Sequence, residues 1–373
     1  MRIKDRNIYL LLGLFILVHI VLYNLFGIVT QNEAEKYIKQ ADLLLKGEFP
    51  SSPKYYYYLP IIYLIAFAQK LSLGYGFVVL AQSCFSAFAF TCFYKGTARV
   101  FSTTTALIAS VLLCLFLPFF SWNFHLYSES IFISLSLVLY YLICRFEEQH
   151  RWTLIAIFCT VIAMIFTRPF GVLFIPPLFI YFLFRNYKNN ATRLSTILCS
   201  LAFVALMFIF INKIFHGGED MDAMKPFKEE HIICFVPLKP QGANLDLHYY
   251  DNGIKDIAYY ITHNPKHFLT LMTKRLASFF NMMRPWYSRA HNTALLLFIS
   301  PIYLMAFVGF VASIKKWKNA FFYFIALVVL YPLAVTFQCD DWNGRFTMLV
   351  LPPIFAFAAA GLIFTVNKIR RLH

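Results

Sequence analysis

About ten apolar runs, most of 16 to 22 residues, divide this 373-residue chain: 8–29, 76–95, 103–121, 128–145, 152–167, 170–185, 193–214, 292–313, 319–338 and 345–366. A segment of that length and polarity is stable in a bilayer only as a helix, because the hydrocarbon offers no partner to a free backbone N–H or C=O. The expected fold is therefore all-α: a polytopic transmembrane helical bundle of about 10 spans, a single integral membrane domain over 1–373. Hydrophobic residues make up 60% of the chain and aromatic residues 19%, against the roughly 45–50% apolar content of soluble domains. The N-terminal Met-Arg-Ile-Lys-Asp-Arg, followed by an apolar run with no small-residue cleavage site, reads as a retained anchor.

The formal charge of +15 would suggest nucleic acid in a soluble protein, but here the cations sit in short loops between spans, which is how a membrane protein sets its orientation. Ten spans place Arg2/Lys4/Arg6, Lys95/Arg99, Arg145/Arg151, Arg185/Lys188/Arg193, Lys315/Lys316/Lys318 and Lys368/Arg370/Arg371 on one side. The loop 122–127 opposite has no cation, and 338–345 has only Arg345. An eleventh apolar stretch, 57–72, contains Pro60 and Lys70; letting it cross would invert the pattern after residue 75. It is expected to be a juxtamembrane or re-entrant helix, with both chain ends cytoplasmic. The basic balance thus implies no nucleic-acid partner.

On this threading the non-cytoplasmic side carries a first loop with juxtamembrane helices (30–75), the turn 122–127, the Arg168-Pro169 junction, a long loop (215–291) and 338–345. Thr30–Gly47 reads as an amphipathic helix with Glu33, Glu35 and Asp42 beside the membrane, where ionisable groups are costly. In the long loop, Asn264-Pro265 reads as a helix start. Phe268, Leu271, Met272, Leu276, Phe279 and Phe280 follow at helical spacing, predicting an amphipathic helix along the outer surface. Six cysteines fall inside spans, as packing residues; Cys234 and Cys339 lie outside, where an oxidising compartment would allow them to pair. No CxxC or metal-ligand spacing occurs, so no metal or other cofactor is expected.

The polar groups collected on that side are Glu33, Glu35, Lys54, Tyr55–Tyr58, His125, Tyr127, Glu129, Arg168, Asp340, Asp341 and Arg345. Glu33 lies four residues before Tyr37 and eight before Ala41, so the three share one helical face. Glu33 is the leading catalytic carboxylate and Glu35 its alternative. Arg168 and Arg345 stand at span ends, where a guanidinium requires an anion: a phosphate, or a carboxylate such as Glu129. Lys54 is a third cation for a phosphate. Tyr37, Tyr57, Tyr127, Glu129, His125 and Asp341 complete the expected pocket.

These residues resemble the polytopic GT-C glycosyltransferases that use polyprenyl- or dolichyl-phosphate sugars, the superfamily of the protein O-mannosyltransferases and the lipid A aminoarabinose transferase. Glu33 before Tyr37 is similar to the family's first-loop acid and following Tyr, although that acid is often Asp. Tyr58-Leu59-Pro60 matches its juxtamembrane proline stretch loosely, Tyr127-Ser128-Glu129 its later acidic position, and Thr167-Arg168-Pro169 with Gly171 its Arg-Pro junction. Arg345-Phe346 with Pro352-Pro353 is similar to its late Arg-Tyr and proline-containing helix. No counterpart of the family's soluble C-terminal domain is expected within these 373 residues, so acceptor recognition is expected to fall to the 215–291 loop and the membrane cavity. The resemblance implies inverting transfer of a sugar from a polyprenyl-phosphate donor to a glycan, lipid or protein hydroxyl on the outer face of a membrane. Glu33 or Glu35 would be the base, and Arg168, Arg345 and Lys54 would hold the donor phosphate. The only Asn-X-Thr sequon, at Asn190, falls on the cytoplasmic side, which points to a bacterial inner membrane. A lipid-linked glycan flippase and an O-antigen-type polymerase or ligase are the competing readings. A flippase would carry charge along helix middles rather than at their outer ends.

Overall fold

A computed structural model describes residues 6–146, 151–186, 190–214, 224–234, 236–237, 244–248, 250, 252–316, 318–341 and 343–371; Arg2, Lys4 and Lys188 lie outside them. The chain runs through α1 (Arg6–Phe26), α2 (Glu33–Lys46), a 3-10 turn (Pro53–Tyr58), α3 (Leu59–Lys70), α4 (Gly74–Val100), α5 (Thr103–Leu115), α6 (Leu117–Phe120), α7 (Glu129–Phe146), α8 (Arg151–Thr167), α9 (Ile175–Arg185) and α10 (Asn190–Ile214). It continues through α11 (Lys225–Lys228), a small hairpin of β1 (His231–Ile233) and β2 (Val236–Pro237), α12 (Gly253–His263), α13 (Pro265–Asn281), α14 (Arg289–Ser313), α15 (Ala320–Thr336) and α16 (Leu351–Arg370).

Five of these helices are long and apolar enough to cross a membrane: Arg6–Phe26, Gly74–Val100, Glu129–Phe146, Arg289–Lys316 and Leu351–Arg370. A sixth span is obtained if Thr103–Leu115 and Leu117–Phe124 are counted together across a 76° bend. The bend falls at Phe116-Leu117-Pro118, where Pro118 has no N–H with which to continue the helical ladder. Trp152–Thr167, Pro169–Arg185, Asn190–Leu206 and Ala320–Thr336 are apolar but shorter. Each expected span is thus helical, and the stretch 57–72 yields only the twelve-residue α3.

Two compact units are formed. The first comprises Met1–Ile175, Pro301–Phe321 and Leu351–His373. In it α4 packs along α7 and α5, and α16 along α5. Helix α14 crosses α16 almost backbone to backbone. A Cβ on Gly309 would stand 1.9 Å from the Phe357 carbonyl oxygen, and one on Gly361 2.0 Å from that of Met305. Small residues permit this approach where helices have no hydrophobic drive to associate. Helix α2 buries Ala34, Tyr37 and Ala41 and ends at Gly47 in the left-handed conformation. Of the intramembrane cysteines, Cys92, Cys114 and Cys144 are packed inside, whereas Cys84, Cys159 and Cys199 lie on exposed helix faces.

The second unit comprises Pro176–Ser300 and Phe322–Val350. The long loop has a core of its own, Met224, Phe227, Tyr260 and Leu271, against which Ile232, Leu245, Ile257, Ile261 and Phe268 pack. Helix α13 starts at Asn264-Pro265, but Asn264 makes no side-chain cap; its amide turns to the Asp246 and Tyr260 carbonyls. Its apolar stripe is largely turned into protein: Leu271 and Phe279 are fully buried. Only Leu269 is strongly exposed among its large apolar residues. Cys234 and Cys339 form a disulfide, and beside it Cys234 N–H donates to the Asp340 carbonyl and Asp340 N–H to that of Ile232, both at 2.9 Å. The hairpin is thereby fixed to the segment that carries Asp340 and Asp341.

Candidate active site

In the first unit the site is assembled by a short piece of backbone pairing. Val29 N–H donates to the Phe124 carbonyl at 2.8 Å and Leu126 N–H to that of Val29 at 3.1 Å. The Tyr127 hydroxyl then donates to the Gln31 carbonyl at 3.1 Å. These bonds hold the start of α2 against the start of α7, so residues about 95 apart in sequence meet. Beneath the turn, Ser130 donates to Asn123 Oδ1 at 2.6 Å, and the Asn123 amide meets His19 Nε2 at 2.8 Å. His19 Nδ1 faces the Phe15 carbonyl at 2.8 Å. A carbonyl can only accept, so His19 is the neutral Nδ1–H tautomer and takes the Asn123 N–H at Nε2.

Glu33 opens α2 and is half-buried; Glu35 is exposed. The shared face expected of Glu33, Tyr37 and Ala41 is present, with Tyr37 3% exposed and ringed by charge. Burial raises the Tyr37 phenol well above its usual range, and the nearby carboxylates Glu33 and Glu129 push it further; Arg168 opposes them. Tyr37 therefore stays a hydroxyl. The stack of Tyr37 on Tyr58, ring centres 5.2 Å apart, brings in the tyrosine run. Glu33, Glu129 and Arg168 thus all lie within electrostatic reach of Tyr37, and Tyr127 and His125 stand on the turn before α7.

Arg168 and Glu129 form a buried ion pair, Nη1 to Oε1, with side chains 6% and 3% exposed. Ser128 adds a hydroxyl to Glu129 Oε2 at 3.3 Å. The Arg-Pro-Phe-Gly order explains the turn: Arg168 is extended before Pro169, and the following 3-10 turn folds back so tightly that a Cβ on Gly171 would be 2.6 Å from the backbone of α8. His125 bonds the Ser121 carbonyl at 3.0 Å through Nδ1, and burial lowers its pKa against the pulls of that bond and of Glu129. Tyr57 is half-buried, and Lys54 is exposed with its ammonium over the Tyr55 ring, 5.6 Å from the centre.

Arg345 and Asp341 belong to the second unit. Arg345 Nε stands 2.9 Å from Asp341 Oδ1, an ion pair four residues apart at an angle too poor for a hydrogen bond. The neighbouring buried group includes residues that spacing alone did not single out. Arg284, wholly buried, donates to Asp340 Oδ2 at 2.8 Å and to the Asp341 carbonyl at 2.9 Å. Ser278 donates to Asp340 at 3.2 Å. Burial raises the Asp340 carboxyl to about 6, against the pull of Arg284. Arg275 donates to the His231, Thr336 and Pro226 carbonyls and stays charged, although burial lowers it to about 10. The sequence signal for Arg284 was an arginine between Met283 and Pro285 in an apolar stretch; Arg275 was masked by Lys274 beside it. A groove of about 490 Å³ opens beside this group, lined by Ile232, Val236, Lys274, Ser278, Met283 and Arg284 among others. Among the described residues, no three His, Cys, Asp or Glu side chains gather as a metal site.

The helical fold, with a buried charged cluster at helix ends, is that of the GT-C class of membrane proteins. The Alg9-like mannosyltransferase family matches residues 52–238, half of the chain, and the chain belongs to that family. The GT-C assignment made from Glu33, Tyr127–Glu129 and Arg168-Pro169 agrees with it, and the flippase reading is set aside. No curated protein matches the chain by sequence. Among solved structures, the archaeal oligosaccharyltransferase AglB from Archaeoglobus fulgidus, in complex with an inhibitory peptide and a dolichol-phosphate, superposes with a TM-score of 0.52 at 13% identity. The match covers 98% of this chain and 51% of that one. A structure of the Archaeoglobus fulgidus oligosaccharyltransferase tethered to an acceptor peptide gives 0.53 at 11% identity, covering 98% and 50%. The likeness is one of fold, and this chain spans about half the length of those proteins.

Proposed function

We propose that this protein transfers a single sugar, mannose on the strength of its family, from a polyprenyl-phosphate donor to an acceptor hydroxyl on the non-cytoplasmic face of a membrane, with inversion at the anomeric carbon. The observation that carries the reading is buried Tyr37, close enough to Glu33, Glu129 and Arg168 to feel the charge of each, beside the buried Glu129–Arg168 pair. Glu33 Oε takes the proton of the acceptor hydroxyl as its oxygen attacks the anomeric carbon; the bond to the lipid phosphate breaks and the electron pair leaves with the phosphate. Arg168, oriented by Glu129, stabilises charge on that leaving group. A single displacement needs one base, no covalent sugar-enzyme intermediate and no metal.

The threading is supported by parity. Val29 and His125 pair at one level, so the chain between them crosses an even number of times. With α4 and the bent α5–α6 as two crossings, α3 must not cross. The Glu129–Arg168 pair likewise makes α8 cross if α7 does, and the disulfide makes α15 cross if α14 does. On this reading the short helices α8 and α15 count as spans of the ten-span threading, with the bacterial inner membrane as the setting. In a purified-enzyme assay with a radiolabelled polyprenyl-phosphate sugar, Glu33→Gln should lose about 100-fold or more of the transfer rate, while Glu35→Gln stays within a few-fold. Undiminished transfer by Glu33→Gln would reject the assignment.

A further inference from the structure

Next to this cluster stands an aromatic surface for which the transfer chemistry has no use. Tyr55 to Tyr58 occupy the 3-10 turn Pro53–Tyr58. Tyr58 lies against buried Tyr37. Tyr56, two residues earlier, meets Phe49 edge-on with ring centres 6.0 Å apart and is 47% exposed. Lys54 adds its ammonium over Tyr55. The loop bearing these rings is clamped to α2 by one buried amide. Gln40, 1% exposed, donates from Nε2 to Ser51 Oγ at 2.6 Å and accepts the Ser51 N–H at Oε1 at 3.1 Å. An amide that commits both ends to fixing an exposed aromatic loop holds its ring faces ready before anything binds, which lowers the ordering cost of binding.

We propose that Phe49, Tyr56 and Tyr55, with Lys54, form a carbohydrate platform that seats the acceptor glycan and presents its terminal hydroxyl to Glu33; this rests on the glycosyl-transfer reading above. A pyranose has one face of C–H bonds, which packs on an aromatic ring, and a rim of hydroxyls, which needs donors and acceptors. Tyrosine supplies both from one side chain, and the Lys54 ammonium supplies further donors. The order of rings runs from exposed Tyr56 and Phe49 to Tyr58 on Tyr37, hence from open surface to the carboxylate. A lipid anchor would call for aliphatic side chains, which follow the tyrosine run only in α3, from Leu59 onward.

The test uses the full-length protein in nanodiscs and trisaccharides of mannose, glucose or N-acetylglucosamine as probes, read by saturation-transfer NMR. At least one trisaccharide should bind through its ring C–H protons. Tyr56→Ala should weaken it at least tenfold, and Tyr56→Trp should restore it. Glu33→Gln should bind as the unaltered protein does, so loss of the catalytic assignment and loss of the platform are seen separately. Equal binding by Tyr56→Ala and Phe49→Ala, or no binding of any trisaccharide by the unaltered protein, overturns the proposal.

Discussion

Asp340 shows how a single buried side chain can make stability depend on pH. Its carboxyl titrates at about 6 in the folded protein, above the roughly 3.9 of an unfolded chain. Between those values the folded state holds a proton that the unfolded state has lost, so this group's stabilising contribution is full below about 4 and is lost as pH rises through 6. The melting temperature in detergent should therefore fall between pH 4 and pH 6.5. Asp340→Asn should flatten the part that this carboxyl supplies, on the order of 2 kcal/mol; identical pH profiles for the two proteins would exclude it. The carboxylate was legible in the sequence as an outer polar group, but its partner was not. Arg284 lies 56 residues away and meets Asp340 only through the packing of α13 against the hairpin. Glu33 was the opposite case: its face with Tyr37 is written in a four-residue spacing, which a helix alone converts into contact. Glu129 and Arg168 were legible as charges that each needed an opposite. That they serve each other is a consequence of α7 and α8 running side by side.

At the scale of the element, the crossing of α14 and α16 is the most exacting contact in the first unit. Gly361→Val would drive a side chain into the Met305 carbonyl, and should cost about 3 kcal/mol or more, seen as a lower melting temperature and poorer yield. Gly76→Ala in α4, where a Cβ meets nothing within 4 Å, should instead be neutral or stabilising by up to about 1 kcal/mol; equal losses in both would refute the contact. Neither glycine announced itself in the sequence, because each reads as one more small residue in an apolar run. Helix α13 illustrates the reverse. Its periodicity is plain, but periodicity says only that one face avoids water. The stripe is turned mostly into the loop's own core of Phe227, Tyr260 and Leu271, since a loop of that length carries enough apolar residues to cover it.

For the whole molecule, the distribution of Lys and Arg and the pairings between distant segments point to the same threading. The test is labelling by a membrane-impermeant maleimide, with the six cysteines outside the disulfide first replaced by serine. Cysteines placed at Lys54, Ser72 and Lys266 should react from outside, and those at Lys95 and Lys316 should not. Opposite behaviour at Lys54 and Ser72 would mean that α3 crosses and would undo the topology. The bond between Cys234 and Cys339 bears on how such a chain is made. It joins cysteines 105 positions apart, with α14 and α15 between them, so its second thiol leaves the ribosome only after both hydrophobic helices have been synthesised. Until then the nascent hairpin is without its staple, and an oxidant reaching Cys234 early could join it only to some other thiol.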